Sequence, residues 1–188
     1  GELREKDKTF NTYAKDKEAE AVGLFDIGEA YFSESQRGGY DIRFTRTRRI
    51  KILDNAGLGY AEVSIPMYLE NEGLRERVTS IEAFTYNIED GQVKRYMLTA
   101  DGVFEEKYRD SYRRKKFTFP KAQAGSIIEY RYVLETPFMF NLPDWEFQDR
   151  IPTLHSEYTV KMIPFYEYSF LAQGIGKFTA QSSRPDTK

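Results

Sequence analysis

The chain has 188 residues, 40% hydrophobic and 31% charged, with 28 Lys and Arg against 30 Asp and Glu for a net charge of −2. That length fits one folded domain, the near-neutral balance gives no global field to attract nucleic acid, and no apolar run reaches the ~18–20 residues of a membrane-spanning helix. Cysteine is absent, which excludes disulfides, thiolate metal sites and a cysteine nucleophile within this chain.

Residues 1–19 are dense in mixed charge and carry Phe10, Tyr13 and Ala14 at helical spacing, the signature of a short N-terminal helix or a solvated lead-in. From Glu20 onward, short runs rich in Tyr, Phe, Ile and Val alternate with Gly, Pro, Asn and Asp, which predicts roughly ten to twelve strands. Between Tyr40 and Leu53, Ile42, Phe44, Ile50 and Ile52 share one parity, while Arg43, Thr45, Thr47, Arg49 and Lys51 share the other, giving an apolar and a wet face. Arg46 and Arg48 break the apolar parity: a bulge, a strand projecting past the core, or a functional arginine pair would each account for them. After the Asp54-Asn55-Ala56-Gly57 turn, Leu58 to Tyr68 is expected to return antiparallel beside that strand, with Pro66 marking a strand end or an edge.

Ile81 to Glu89 and Gln92 to Leu98 flank Asp90-Gly91, a pair suited to the positive φ angles of a two-residue hairpin turn. Tyr112 to Phe119 and Ser126 to Glu135 read as paired strands, and Arg113-Arg114-Lys115-Lys116 as the alternating charges of an edge strand. Gathered on one surface, those charges would instead suit an anionic glycan or a lipid headgroup. Glu157 to Ile163 and Phe165 to Gln173 form two further runs around Pro164, before a polar tail over 181–188. With no crossover helix after residue 20, these elements predict an all-β, antiparallel β-sandwich over 20–180.

No phosphate loop, dinucleotide fingerprint, zinc-protease helix motif or nucleophile elbow is present in the sequence, so no catalytic residue, metal ligand or cofactor is assigned. The single histidine, His155, would have to serve as base in any serine triad, and reads better as a strand-start residue. Fourteen Tyr, fourteen Phe and one Trp leave two roles open, core packing or a sugar-stacking surface. Trp145, Phe147, Tyr166 and Tyr168, with Arg46 and Arg48, are therefore the candidate ligand or interface residues.

Four stretches carry a family likeness: Ala21-Val22-Gly23-Leu24-Phe25-Asp26; Arg49-Ile50-Lys51-Ile52-Leu53-Asp54 with Gly57; Phe117 to Pro120 followed by Gly125-Ser126-Ile127-Ile128-Glu129-Tyr130; and Asp144-Trp145-Glu146-Phe147-Gln148 leading to Ile151-Pro152. From about residue 18 the chain resembles the uncharacterised β-domain that precedes a transglutaminase-like domain in secreted or periplasmic proteins, chiefly of Bacteroidetes. The resemblance implies a non-catalytic accessory module of a cell-envelope protein, a truncation point near 181–188, and a downstream transglutaminase-like domain as partner in the same chain. A glycan or protein ligand is the further partner to expect, with a glycan-binding sandwich as the alternative role. The family's motifs here carry no assigned catalytic role.

Overall fold

The computed structural model describes residues 3–164, 168–174 and 177–183, and the protein is an all-β sandwich. Among the described residues, six strands form one sheet: β1 (Ala21–Glu34), β2 (Tyr40–Ile52), β5 (Arg77–Glu89), β6 (Gln92–Met97), β9 (Ile127–Thr136) and β10 (Ser156–Lys161), in the order β10-β1-β2-β9-β5-β6. The second sheet contains β3 (Glu62–Asn71), β4 (Leu74–Arg75), β7 (Val103–Arg109) and β8 (Tyr112–Thr118), in the order β4-β3-β8-β7. Neighbours run antiparallel, with one exception: β10 lies parallel to β1.

The core forms where the two inner faces meet. Ile42, Phe44, Ile50 and Ile52 of β2 and Ile128, Tyr130, Tyr132 and Leu134 of β9 are buried with Ile65 and Met67 of β3 and Phe117 of β8. The edge-on contact of Phe117 with Tyr130, at 6.1 Å between ring centroids, crosses from one sheet to the other. Burial of each such side chain contributes about 1.5–3 kcal/mol, so the apolar parity of β2 and β9 drives the stacking of the sheets. The Asp90-Gly91 hairpin forms as expected, with φ of 52° and 75° joining β5 to β6.

Five local expectations are corrected. The segment after Asp54 does not return beside β2: a 3₁₀ turn over Ala56–Ala61 carries the chain to the other sheet, where β3 pairs with β8. The Asp54 carboxylate accepts the Ala56 and Gly57 N–H groups at 2.8 and 3.3 Å and starts that turn. The β8 and β9 strands are not hydrogen-bonded partners but face each other across the core, and β8 is internal, between β3 and β7. The "wet" face of β2 is dry at one end, because Arg49 and Lys51 are buried. Of the run predicted from Phe165 to Gln173, residues 168–173 are irregular and the first three lie outside the described residues.

The N-terminal stretch covers that dry end. In a single turn of helix, α1 (Glu5–Lys8), the Asp7 carboxylate accepts from the Arg4 backbone N–H at 3.4 Å and from its guanidinium at 3.3 and 3.2 Å, and Leu3 and Phe10 pack on Leu24, Tyr86 and Ile127. Pro66 sits mid-strand on the side of β3 left largely open, since β4 pairs only near Leu69 and Asn71. Its missing N–H removes no ladder bond there.

Candidate functional site

The two arginines that break the apolar parity of β2 are the centre of a buried charge cluster. The β2–β9 ladder is regular from Ile42 to Lys51, so Arg46 and Arg48 lie on the same inward face as Phe44 and Ile50. The irregularity is on the neighbouring strand: between Gly23 and Phe25, β1 gains a residue against β2. That bulge switches the parity of β1, so that Asp26 stands opposite Arg48 on the core side and Gly28 opposite Arg46.

Asp26 is buried and accepts both Nε and Nη2 of Arg46, at 2.9 and 2.6 Å, a bidentate pair. Arg48 approaches the same carboxylate at 3.4 Å and donates Nη1 to Asp149 at 3.1 Å. Burial works against the Arg46 charge, but the Asp26 carboxylate outweighs it and holds the guanidinium above its ordinary range. Asp149 is pulled the other way by burial, yet the Arg150 backbone N–H and Arg48 keep it below the usual carboxylate range. Within this cluster the buried Nε and Nη2 of Arg48 have no hydrogen-bond acceptor among the described residues.

Asp149 belongs to a long strap, residues 137–155, that crosses from β9 to β10. Its backbone is laced to the bulged start of β1: the Gly23 N–H donates to Pro152 at 2.8 Å, Leu154 to Gly23 at 2.8 Å and Asp26 to His155 at 2.9 Å. Gln148 folds the strap on itself, exchanging bonds with the Thr153 backbone at 3.1 and 3.2 Å. Trp145 donates its indole N–H to Ser156 at 3.1 Å and stacks on Tyr158 at 5.2 Å, with the Arg46 guanidinium 5.0 Å from its ring. Gly28 makes room for it, since a Cβ there would lie 2.4 Å from the indole.

On the opposite face of the sheet, Arg49 bridges two carboxylates, Glu129 at 2.6 Å and Asp7 at 2.8 Å, and all three residues are buried. Burial pushes the Asp7 carboxyl up, but Arg4 and Arg49 outweigh it and hold it below the ordinary range. Lys51 donates to the Gly125 carbonyl at 2.7 Å, and burial lowers its ammonium pKa.

Of the sequence-predicted site residues, the structure brings Arg46, Arg48 and Trp145 together and sets Phe147 beside Trp145 at 6.5 Å. The indole is packed within the strap, not presented as a free ring. Tyr168 lies apart, against Phe32 at 5.7 Å and bonded through its hydroxyl to the Met139 carbonyl. Tyr166 is outside the described residues. His155 is exposed and meets Glu157 at 3.2 Å. Asp26, Asp149, Asp7 and Glu129 escaped the sequence reading; a carboxylate in the otherwise apolar run Ala21 to Ile27 was the one available signal.

The stretches that carried the family likeness do architectural work. Arg49 and Glu129 pair, Gly57 lets the Glu20 carbonyl approach where a Cβ would lie 2.3 Å away, and the Trp145–Gln148 block locks the strap. Among curated proteins no sequence matches. The crystal structure of a "putative protease" from Parabacteroides distasonis is similar at 13% identity and a TM-score of 0.47, over 62% of this chain and 23% of that one. This chain thus spans under a quarter of that protein's length. The family pattern of a domain of unknown function with solved structure, DUF3857, matches residues 40–186, from β2 to the C-terminal tail. The chain belongs to the DUF3857 family of domains of unknown function.

Proposed function

We propose that this domain is a non-catalytic accessory module of a larger periplasmic or secreted protein, packing on, or presenting substrate to, a transglutaminase-like domain of the same polypeptide. On this reading residues 20–180 act as one unit, and the buried ion pairs Asp26–Arg46 and Arg49–Glu129 serve architecture, not chemistry. The observation that carries the proposal is a group of large apolar side chains left in water after β9. Phe140 is 78% exposed, Phe170 67% and Leu171 82%. The Tyr168 hydroxyl on the Met139 carbonyl holds the two runs side by side. Apolar side chains gathered on a surface mark contact sites for other protein surface.

Hydrogen exchange tests this reading, comparing the full polypeptide encoded by the gene with the present chain alone. Protection of 138–141 and 168–172 in the longer protein supports intramolecular docking there. Equal exchange in both, or a gene that encodes no further domain, removes it.

A further inference from the structure

Between the open ends of the two sheets lies a cavity of about 150 Å³ that the core does not fill. Its apolar wall includes Met67, Leu69 and Val78. Arg75, Arg77, Arg113 and Lys115 supply the rest of the argument, all four lining the same space. Register explains how two of them come to be inside: Arg113 stands opposite Met67 and Lys115 opposite Ile65, on the face of β8 that also carries the buried Phe117. The basic run therefore splits. Its outward members are neutralised, Arg114 by Glu106 at 2.5 Å and Lys116 by Glu62 at 2.7 Å.

The inward members, and Arg75 and Arg77 beside them, are paired less fully. Arg77 and Lys115 form no ion pair among the described residues, and Arg75 and Arg113 reach only Glu72, at 3.4 and 3.5 Å. The Nε–H groups of both Arg75 and Arg113 are buried without an acceptor. Two carboxylates also line the space, Glu76 and Glu105. Glu76 accepts the Tyr68 N–H at 2.7 Å, and its burial favours the neutral acid. Four cations thus line the cavity against two carboxylates, and a buried Nε–H on each of two of those cations, Arg75 and Arg113, has no acceptor among the described residues.

We propose that this cleft binds a small oxyanion, a carboxylate or a phosphate or sulfate group, held by Arg75 and Arg113 with Arg77 and Lys115 supplying charge. Apolar Met67, Leu69 and Val78 would contact the stem that carries the group. The guanidinium fork matches the two oxygens of such a group, which a chloride ion cannot reproduce.

The test is an NMR titration of the arginine Nε–H signals with sodium phosphate and, separately, sodium acetate, against sodium chloride at equal ionic strength. The expected result is a saturating shift of the Arg75 and Arg113 signals in at least one oxyanion arm, with none in chloride. The stronger arm identifies phosphate-type or carboxylate chemistry. Arg113→Gln should weaken saturation at least tenfold, and Lys116→Gln, on the outer face, should leave it unchanged. Lys115→Gln provides the same readout should Arg113→Gln disturb folding. Shifts that follow ionic strength in all three salts, or saturation that survives both cleft variants, would overturn the proposal.

Discussion

Replacing Asp26 by Asn tests whether the inward arginines are held by charge or by shape. The carboxylate accepts two charge-assisted bonds from Arg46 and faces Arg48. Asn keeps one acceptor oxygen and turns an N–H₂ toward a guanidinium, so one such bond, about 1.5–3 kcal/mol, is lost outright. Two guanidinium groups, with side chains 24% and 7% exposed, are then left with Asp149 alone. Removing one partner from a buried ionic set typically costs about 3–5 kcal/mol, and we expect a loss of ~4 kcal/mol, a fall in Tm of roughly 8–16 °C for a chain this size. Urea unfolding followed by the fluorescence of the sole Trp gives the number directly. Adding Arg46→Met to Asp26→Asn should recover part of the loss, because the stranded charge goes with it. A loss under about 1 kcal/mol, or a double variant as unstable as the sum of the two single ones, would refute the electrostatic account.

Three further outcomes follow from geometry. Gly28→Ala forces its Cβ onto the Trp145 ring, so it should cost about 1–3 kcal/mol and red-shift the indole emission as the strap lifts; unchanged emission would count against the packing described. Gly91→Ala meets no neighbour within 4 Å, so its cost should be only the ~1–2 kcal/mol of holding an L-residue at a φ of 75°, measured by thermal unfolding. The Asp7 carboxyl lies below its ordinary range, so the stability it contributes is complete above the unfolded carboxylate pKa of about 4 and is lost as pH falls through the lower native value. Wild-type and Asp7→Asn urea midpoints should therefore differ at pH 7 and converge toward pH 2.5; parallel curves would contradict the assignment.

Much of the sheet was readable because its signals are local. The Asp90-Gly91 turn and the alternation of Ile42, Phe44, Ile50 and Ile52 each depend on neighbours within a few residues. What escaped depends on distance. The chain after Asp54 leaves for the other sheet through a 3₁₀ turn in which Gly57 lies close against the Glu20 carbonyl, a contact that no strand pattern encodes. Arg49 looked like an exposed position because its partners come from α1 and β9, on either side of it in sequence. Arg46 and Arg48 are legible in the sequence as a break in the apolar parity, with a bulge among the explanations, but the bulge lies in β1, where its work is to turn Asp26 inward. The C-terminal run of aromatics after Pro164 has strand-like composition, yet over residues 168–173 it forms no ladder.

The bulge at the start of β1 also bears on the order in which the protein assembles. Asp26 and Arg46 are 20 residues apart in sequence and meet across a single hairpin, whereas Asp149 reaches Arg48 over a separation of 101. Contacts of short separation close first, both in a refolding chain and during synthesis from the N-terminus. The hairpin is therefore expected to bring a carboxylate to Arg46 while water still solvates both groups, before the strap, with Trp145 and β10, closes over them. At the Asp26–Arg46 pair, counter-charge comes before desolvation, so the costliest intermediate on the way to a buried cation, a dry guanidinium without an anion, need never form there.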